Sequence, residues 1–208
     1  GREVASAVRG SADTEVTIYV PDAQLWSMDE PNLYTVVATL QRNNEEVDEI
    51  AANVGVRSFK VTPDEGFSIN GVPTPLRGVS RHQDRVFEGN ALTAEEHYDD
   101  AMLIKELGAN TIRLAHYQHS QDFYDACDEI GFAVWAEIPF ISVFKKGEGA
   151  HKHVMEEMKE LIIQNYNHPC IAVWGLSNEI TSSAASLRSW WTLITIWRSS
   201  ARSLTRPA

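Results

Sequence analysis

The sequence has few cysteines, few basic residues and no long apolar run, and each shortage excludes a class of protein. Its two cysteines, Cys127 and Cys170, form no CxxC pair, so neither a disulfide framework nor a zinc site is indicated. Lysine and arginine number 18 against 29 acidic residues, and a net charge of −11 lacks the basic face that nucleic-acid binding needs. No stretch approaches the roughly 20 apolar residues of a membrane span. We therefore expect a neutral or small-molecule partner, with no nucleic acid and no membrane.

The start of the chain does not indicate a compartment. "GREVASAVRG" has neither the apolar stretch of a signal peptide nor an initiator methionine. We therefore expect a fragment, and both a cytoplasmic and an exported bacterial protein stay open. The hydrophobic content of 43% is enough to bury a sizeable core.

Residues 1–62 have the pattern of a β-sandwich. Three segments rich in valine, threonine and aromatic residues are separated by proline, asparagine and aspartate, which is typical of antiparallel strands: "EVTIYV", "LYTVVATL" and "VGVRSFKV". Strict alternation in "LYTVVATLQR" predicts one buried and one partly wet face. Further on, Asn70 and Gly71 predict a tight two-residue hairpin turn that leads into the next domain.

Residues 63–181 alternate short apolar runs with helical patterns. Thr93 and Glu96 match a capping box, and Gly108 and Gly131 stand where helices would end. Three helices separate four predicted strands, "PLRGVS", "NTIRLAHY", "FAVWAEIPF" and "CIAVWGLS". Such alternation requires parallel strands, in either a doubly wound sheet or part of an eight-stranded α/β barrel. No GxGxxG or Walker-type loop follows a strand, which disfavours a nucleotide-binding sheet.

Polar residues at the strand ends favour the barrel. Active sites of α/β barrels are assembled at the carboxyl ends of the strands, and here each predicted strand finishes in groups able to do chemistry: Arg81, His82 and Asp84, then His116 and Tyr117, then Glu137, then Asn178 and Glu179. Structural roles stay open for Glu179 and Glu137, which could pair with Arg113. His151 and His153 are interpreted as surface residues, and no metal ligand is assigned.

Two longer motifs resemble glycoside hydrolase family 2, which includes β-galactosidases, β-glucuronidases and β-mannosidases. "NYNHPCIAVWGLSNE" is similar to the acid/base signature of that family, and "NTIRLAHYQHSQDFYDACDEIGFAVW" to its other signature, although Leu114 and Gln118 replace a small residue and a proline. The resemblance spans about 15–181. It implies an α/β chain with the N-terminal part of a (β/α)8 TIM barrel, about four βα units, preceded by part of an immunoglobulin-like β-sandwich. "RGVSRHQD" and "WGLSNEIT" look most like the β-galactosidases.

The resemblance also implies a mechanism. Retaining glycosidases use two carboxyl groups about 5–5.5 Å apart, one as proton donor and one as nucleophile. By resemblance Glu179 is the acid/base residue, at the low-dielectric end of a buried strand, and Asn178 binds the sugar 2-hydroxyl. The other expected substrate-binding residues are His116, His82, Arg81 and Glu137, the last two also supporting the rim. The nucleophile is expected on a later strand, outside this chain. Some family members bind Mg²⁺ near the acid/base residue, so Mg²⁺ is a candidate cofactor whose ligands the sequence does not place.

The final segment, 182–208, departs from the rest in composition. Positions 181–208 hold no acidic residue and three of the six tryptophans. A frameshift near 182 and a genuine helix are both consistent with this pattern. Exposed tryptophans and open strand edges would favour oligomers.

Three functions follow as hypotheses. In the first, the parent protein is a retaining β-galactosidase, and this chain carries the half of its active site with the acid/base residue. In the second, the chain itself is an inert carbohydrate-binding fragment. A β-glucuronidase-like relative would need cationic contacts for the sugar carboxylate, and the sequence shows no clear cluster of them.

Overall fold

The computed structural model describes residues 1–11, 15–143 and 147–180. Within these ranges nine strands form three sheets: β1 (Tyr34–Arg42) with β2 (Glu45–Val54), then β3 (Phe59–Thr62), β4 (Gly66–Ile69) and β5 (Val72–Pro73), then β6 (Gly78–Arg81), β7 (Thr111–Leu114), β8 (Ala133–Glu137) and β9 (Ile171–Gly175). The helices are α1 (Ala94–Glu106), α2 (Gln121–Ile130) and α3 (Glu148–Asn165). No helix in the described part of the chain is both long and apolar enough to cross a bilayer.

The third sheet is parallel throughout, and its strands lie in chain order, β6-β7-β8-β9. One helix follows each of the first three strands, which is the repeating βα pattern of a barrel. The alternation along β7 shows how the sheet divides its faces. Ile112 and Leu114 are fully buried in the core, while Arg113 between them is half-buried on the other face. The predicted four strands and three helices are confirmed.

Local sequence signals set the helix ends. Thr93 caps α1: its hydroxyl accepts from the Glu96 backbone N–H, and the Glu96 carboxylate accepts from the Thr93 backbone N–H, so two otherwise unpaired donors are satisfied. α2 ends at Gly131, whose φ of 85° is a left-handed conformation that glycine adopts without steric cost. The predicted capping box and the predicted stop at Gly131 therefore act as expected.

The Asn70–Gly71 turn forms as predicted. Its two residues have φ values of 52° and 81°, and they connect β4 to β5 with Ile69 paired to Val72. The turn lies within the three-stranded sheet rather than in a linker, since Ile69 is buried in the common core. The Asn70 side chain also ties this sheet to the preceding segment by donating to the Trp26 backbone oxygen at 3.0 Å.

The N-terminal region differs from expectation in two ways. No strand forms at 15–20, and β2, with its polar sequence "EEVDEIAANV", was not predicted. The predicted buried face of β1 is also largely exposed, with Val36 and Leu40 at 45% and 46%. The physical reason is that β1 pairs only with β2 among the described residues, so no second sheet covers the apolar face. The prediction for 182–208 lies outside the described residues.

Candidate active site

Three strand ends meet in one polar cluster, made by Arg113 of β7, Glu137 of β8 and Asn178 just after β9. The Arg113 guanidinium donates to both Glu137 carboxylate oxygens, at 2.7 and 3.0 Å, and to the Asn178 side-chain oxygen at 2.8 Å. Glu137 is 1% exposed, so its charge is tolerated only because this two-pronged pair compensates it. The backbone N–H of Asn178 donates to the Phe140 oxygen, which fixes the residue beside β8.

The contact with Arg113 decides which end of the Asn178 amide is presented. An arginine only donates, so the atom that faces it is the amide oxygen. The amide NH₂ group of Asn178 is thereby directed away from Arg113 as a donor. A sugar hydroxyl oxygen is a suitable acceptor for it.

Two histidines and a tyrosine extend the cluster along the rim. His116 Nδ1 lies 2.9 Å from an Arg113 nitrogen and 3.4 Å from a Glu137 carboxylate oxygen, so its ring is held against this pair. The His82 ring meets the His116 ring edge-on, with centroids 5.2 Å apart, and His82 Nδ1 lies 3.2 Å from the Tyr117 hydroxyl. His82, His116, Glu137 and Asn178 are thus brought together as the sequence predicts.

Glu179 follows directly after this cluster, with a φ of 50° that differs from the extended backbone of β9. Its side chain is exposed, and no hydrogen bond or ion pair joins it to another residue of 1–11, 15–143 or 147–180. This differs from the low-dielectric environment expected from the sequence. Because β9 is an outer strand of the four-stranded sheet, one side of the rim is open here.

Arg81 lies apart from the cluster, on the helix-facing side of β6. Its guanidinium, 6% exposed, donates to Asp100 of α1 and contacts the His97 and His119 rings. It also stacks over the Phe123 ring, with the guanidinium carbon 3.9 Å from the centroid. This position suits the rim-supporting role that the sequence suggests, and not direct contact with a sugar.

The charges around Arg81 change the protonation of its neighbours. Burial lowers the pKa of His119 to about 3, although its hydrogen bond to the Ala115 oxygen acts in the opposite direction. Burial, together with the charge of Arg81, also lowers the pKa of His97. Burial alone would raise the pKa of Asp100, but hydrogen bonds from Arg85 and Arg81 hold it below its usual range. This network is therefore an ion-paired anchor with neutral histidines.

Arg113 was missing from the predicted site residues, although it is the residue that joins the others. The sequence signal was present: Arg113 alternates with Ile112 and Leu114, so it must leave the core face of its strand. Arg113 is also only three positions before His116, which follows the end of the strand.

The described residues do not place a magnesium site beside Glu179. In this part of the chain, one set of three potential ligands lies within mutual reach: Asp125, Asp128 and His168. His168 precedes β9 and therefore lies at the opposite end of that strand from Glu179. We derive no catalytic step through Mg²⁺.

Comparisons with known proteins agree with this geometry. The model of "Glycosyl hydrolases family 2, TIM barrel domain" matches residues 59–200, and that of "Glycosyl hydrolases family 2" matches 2–57. A β-glucuronidase of Bacteroides fragilis is 37% identical over 174 residues, which cover 80% of this chain and 25% of that protein. A β-galactosidase of Thermoanaerobacter pseudethanolicus is 39% identical over 153 residues, covering 73% and 20%.

A solved structure is more similar still. The crystal structure of an FMN-binding β-glucuronidase from Facaelibacterium prausnitzii L2-6 is 75% identical, with a TM-score of 0.89, and the match covers 93% of this chain and 30% of that one. The chain thus spans about a quarter of the length of the curated relatives it matches. It belongs to glycoside hydrolase family 2, a family of glycosidases, with a match to the N-terminal family domain and part of the TIM barrel.

Proposed function

We propose that the longer protein to which this chain corresponds is a retaining glycoside hydrolase, and that Glu179 is its acid/base residue. The observation that supports this most is the placement of Glu179 next to Asn178, whose amide is oriented by Arg113 at 2.8 Å. An amide donor held in this way can bind the sugar 2-hydroxyl, a contact that strengthens in the transition state of such enzymes. Glu179 would protonate the leaving oxygen and then activate water.

The neighbouring side chains have proposed roles that follow from their contacts. His116 can contact a sugar hydroxyl through Nε2, because its Nδ1 faces Arg113 and Glu137. His82, exposed beside it, can contact a second sugar hydroxyl. Glu137 is buried under Arg113 and acts by orienting that guanidinium rather than by touching substrate. The nucleophile would come from a later strand of the longer protein.

For the sugar, we propose a β-glucuronide as the preferred substrate. The support is the 75% identity to a β-glucuronidase of known structure. The second candidate is a β-galactoside, supported by the 39% identity to a β-galactosidase and by the motifs "RGVSRHQD" and "WGLSNEIT". A glucuronide carboxylate needs a cationic contact, and Arg113 is already engaged by Glu137 and Asn178. The cationic group would therefore lie outside the described cluster.

The test uses the full-length protein with nitrophenyl β-glucuronide and nitrophenyl β-galactoside. We expect the larger kcat/KM for the glucuronide, and a loss of about 10²–10⁴-fold in the Glu179→Gln variant because a general acid/base is removed. Glu160→Gln, which alters an exposed glutamate of α3, is the matched control and should keep full activity. Full activity in Glu179→Gln would refute the assignment. A larger kcat/KM for the galactoside would change only the proposed substrate and not the proposed role of Glu179.

The chain 1–208 alone should release no nitrophenol above background, because one carboxyl group of the pair is not provided. Saturable turnover that is abolished by Glu179→Gln would contradict this expectation.

A further inference from the structure

Gly175, the last residue of β9, lies against two large side chains of β8. Strand pairing places Gly175 opposite Glu137, and Trp135 stands two residues before Glu137 on the same strand. Paired residues of neighbouring parallel strands direct their side chains to the same face of the sheet, and so do residues two positions apart on one strand. A side chain at position 175 would therefore extend toward Trp135 and Glu137.

The space beside Gly175 is already filled. An added Cβ atom would lie 2.5 Å from Glu137 Cγ and 2.9 Å from Trp135 Cδ1, and it would overlap the indole nitrogen. Carbon atoms in contact stand about 3.5–4.0 Å apart, so even an alanine requires movement. The backbone of Gly175 is not left-handed, so its conformation does not require a glycine. The lack of space does.

The backbone of β9 is held close to β8 on both sides of the clash. The Gly175 backbone oxygen accepts from the Ile138 N–H at 3.4 Å. Further on, the Asn178 N–H donates to the Phe140 oxygen at 2.9 Å, and the Asn178 oxygen accepts from the Ser142 N–H at 3.0 Å. A movement of β9 away from β8 would break these bonds. An added side chain is therefore accommodated by movement of the side chains around it.

The two neighbouring side chains differ in how freely they can move. Trp135 is 42% exposed, so its ring has open space on one side. Glu137 is 1% exposed, and both of its carboxylate oxygens accept from Arg113. A displaced Glu137 Cγ carries the carboxylate with it and pulls on the Arg113 guanidinium. That guanidinium also contacts His116 Nδ1 and the Asn178 side-chain oxygen.

We propose that Gly175 is a positioning residue of the site. Because it has no side chain, Glu137 can lie against β9 and hold Arg113 in the orientation that presents the Asn178 amide. Glycine weakens the interior of a strand, and it often marks a place where another group approaches closely. The geometric part of the proposal does not depend on a catalytic role of Glu179, whereas its consequence for turnover rests on the proposed function.

The geometric part is tested by NMR on the chain 1–208, with two reporter signals. The Arg113 Nε–H signal reports the bond to Glu137, and the side-chain NH₂ signals of Asn178 report the contact with Arg113. Both should shift in Gly175→Ala, because the carboxylate is displaced. Unshifted reporter signals in a folded Gly175→Ala variant would overturn the proposal.

Gly78→Ala is the matched control on another strand of the same sheet. Its added Cβ atom would lie 3.4 Å from the nearest Thr111 atoms, close to an ordinary contact distance, and its backbone is not left-handed either. The reporter signals should stay in place.

Gly131→Ala separates a loss of stability from a loss of position. Its added Cβ atom would lie as close as 2.5 Å to the Met28 backbone oxygen, and the three nearest atoms all belong to Met28 rather than to the site. This variant should lower stability and leave the reporter signals unchanged. Equal shifts in Gly131→Ala and Gly175→Ala would mean that the signals follow a general loosening of the fold, and would refute positioning.

A double variant separates the contact with Glu137 from the contact with Trp135. Gly175→Ala combined with Trp135→Ala removes the indole and keeps the short contact with Glu137 Cγ. The reporter signals should still differ from those of Trp135→Ala alone. Identical signals would show that the glycine serves only the indole, which would overturn the role of Glu137. The same pair of variants provides the test if Gly175→Ala alone does not fold, because the closest contact is then absent.

The consequence for turnover is tested in the full-length protein with the nitrophenyl glycosides. Gly175→Ala should lower kcat about tenfold, the equivalent of one hydrogen bond, with little change in KM, since the Asn178 contact strengthens in the transition state. Gly78→Ala should keep both constants. Shifted reporter signals with an unchanged kcat would support the positioning by Gly175 and contradict the proposed role of Asn178 in turnover.

Discussion

At the scale of single residues, the pair formed by Arg113 and Glu137 determines the stability of the site. The Arg113→Ala variant should lower the free energy of unfolding by about 3 kcal/mol, because it leaves a carboxylate that is 1% exposed without its partner. Urea unfolding followed by circular dichroism measures the change.

The double variant Arg113→Ala, Glu137→Gln is the control for this prediction. It removes the buried charge together with its partner, so part of the lost stability should return. Equal stability of the single and double variants would show that the pair does not compensate a buried charge.

His119 makes stability depend on pH. Burial lowers its pKa from 6.5 to about 3, so the unfolded chain takes up a proton at pH values where the folded chain does not. The stabilisation is complete above about pH 6.5 and decreases as the pH falls toward 3, by at most about 1.4 kcal/mol per pH unit. Urea midpoints between pH 6.5 and 4.5 should show this decrease.

Two variants separate His119 from the other histidines. His119→Asn should flatten the dependence on pH, leaving the smaller share of His97, whose pKa burial also lowers. His153→Asn, which alters an exposed ring on α3, should leave the slope unchanged. An unaltered slope in His119→Asn would contradict the assignment.

The site residues show what a sequence can reveal at this scale. His82, His116, Glu137 and Asn178 were predictable because each follows or ends a buried strand, and such ends converge in a parallel sheet. Arg81 has the same kind of position, yet it is directed to the helices, because the register of β6 places it on the face of Leu114. The face of the sheet to which a side chain is directed depends on the register of its strand. A single sequence does not give the register of a strand four residues long.

At the scale of elements, the capping box of α1 offers a local test. Thr93→Ala should lower the free energy of unfolding by about 1 kcal/mol, since the hydroxyl that accepts from the Glu96 N–H is lost. The measurement is again urea unfolding.

Ser120, at the N-terminus of α2, is the matched control. It occupies the same kind of cap position, but its side chain makes no capping hydrogen bond. Ser120→Ala should therefore change stability by less than about 0.5 kcal/mol. Equal losses for Thr93→Ala and Ser120→Ala would indicate that the capping bond does not matter here.

The elements of the parallel sheet were predictable because their apolar runs are short and their helices carry start and stop signals. The N-terminal strands were less predictable from the sequence. β2 forms although four of its first five residues are acidic, because its backbone is paired to β1 from Glu45 to Val54, with one bulge at Val47. Whether such a segment forms a strand depends on its pairing with a neighbouring strand. The strand propensity of its own residues does not predict that pairing.

At the scale of the whole molecule, Gly131 joins the N-terminal segment to the barrel strands. A Cβ atom at this position would lie 2.5 Å from the Met28 backbone oxygen, so Gly131→Ala must displace the segment around Met28. Lys105 holds the same contact by donating to the Met28, Ile130 and Gly131 oxygens. The variant should unfold at a clearly lower urea concentration than the wild type.

Gly108 provides a matched comparison. Its φ of 81° is close to the 85° of Gly131, but no atom lies within 4 Å of an added Cβ. Both alanine variants share the cost of a left-handed backbone, so their difference isolates the clash, about 2 kcal/mol more for Gly131→Ala. Equal destabilisation would mean that Met28 moves aside at little cost.

We propose that the chain divides into units at 1–62 and 63–181, as the sequence predicts, and that these pack closely. Arg57 reaches the carbonyls at the start of β9, and Phe59 packs against the core of the parallel sheet. The first unit thereby contributes to the support of the strand that leads to Asn178.

The fully buried Trp26 provides a fluorescent probe of the contact between the two proposed units. Its indole N–H donates to the Asp128 backbone oxygen at 2.8 Å, a partner 102 positions further along the chain. In a variant whose other five tryptophans are phenylalanine, fluorescence excited selectively at tryptophan would come from this ring alone. Emission at short wavelength would then report that the two units are together, and a red shift would record their separation without any sugar being present.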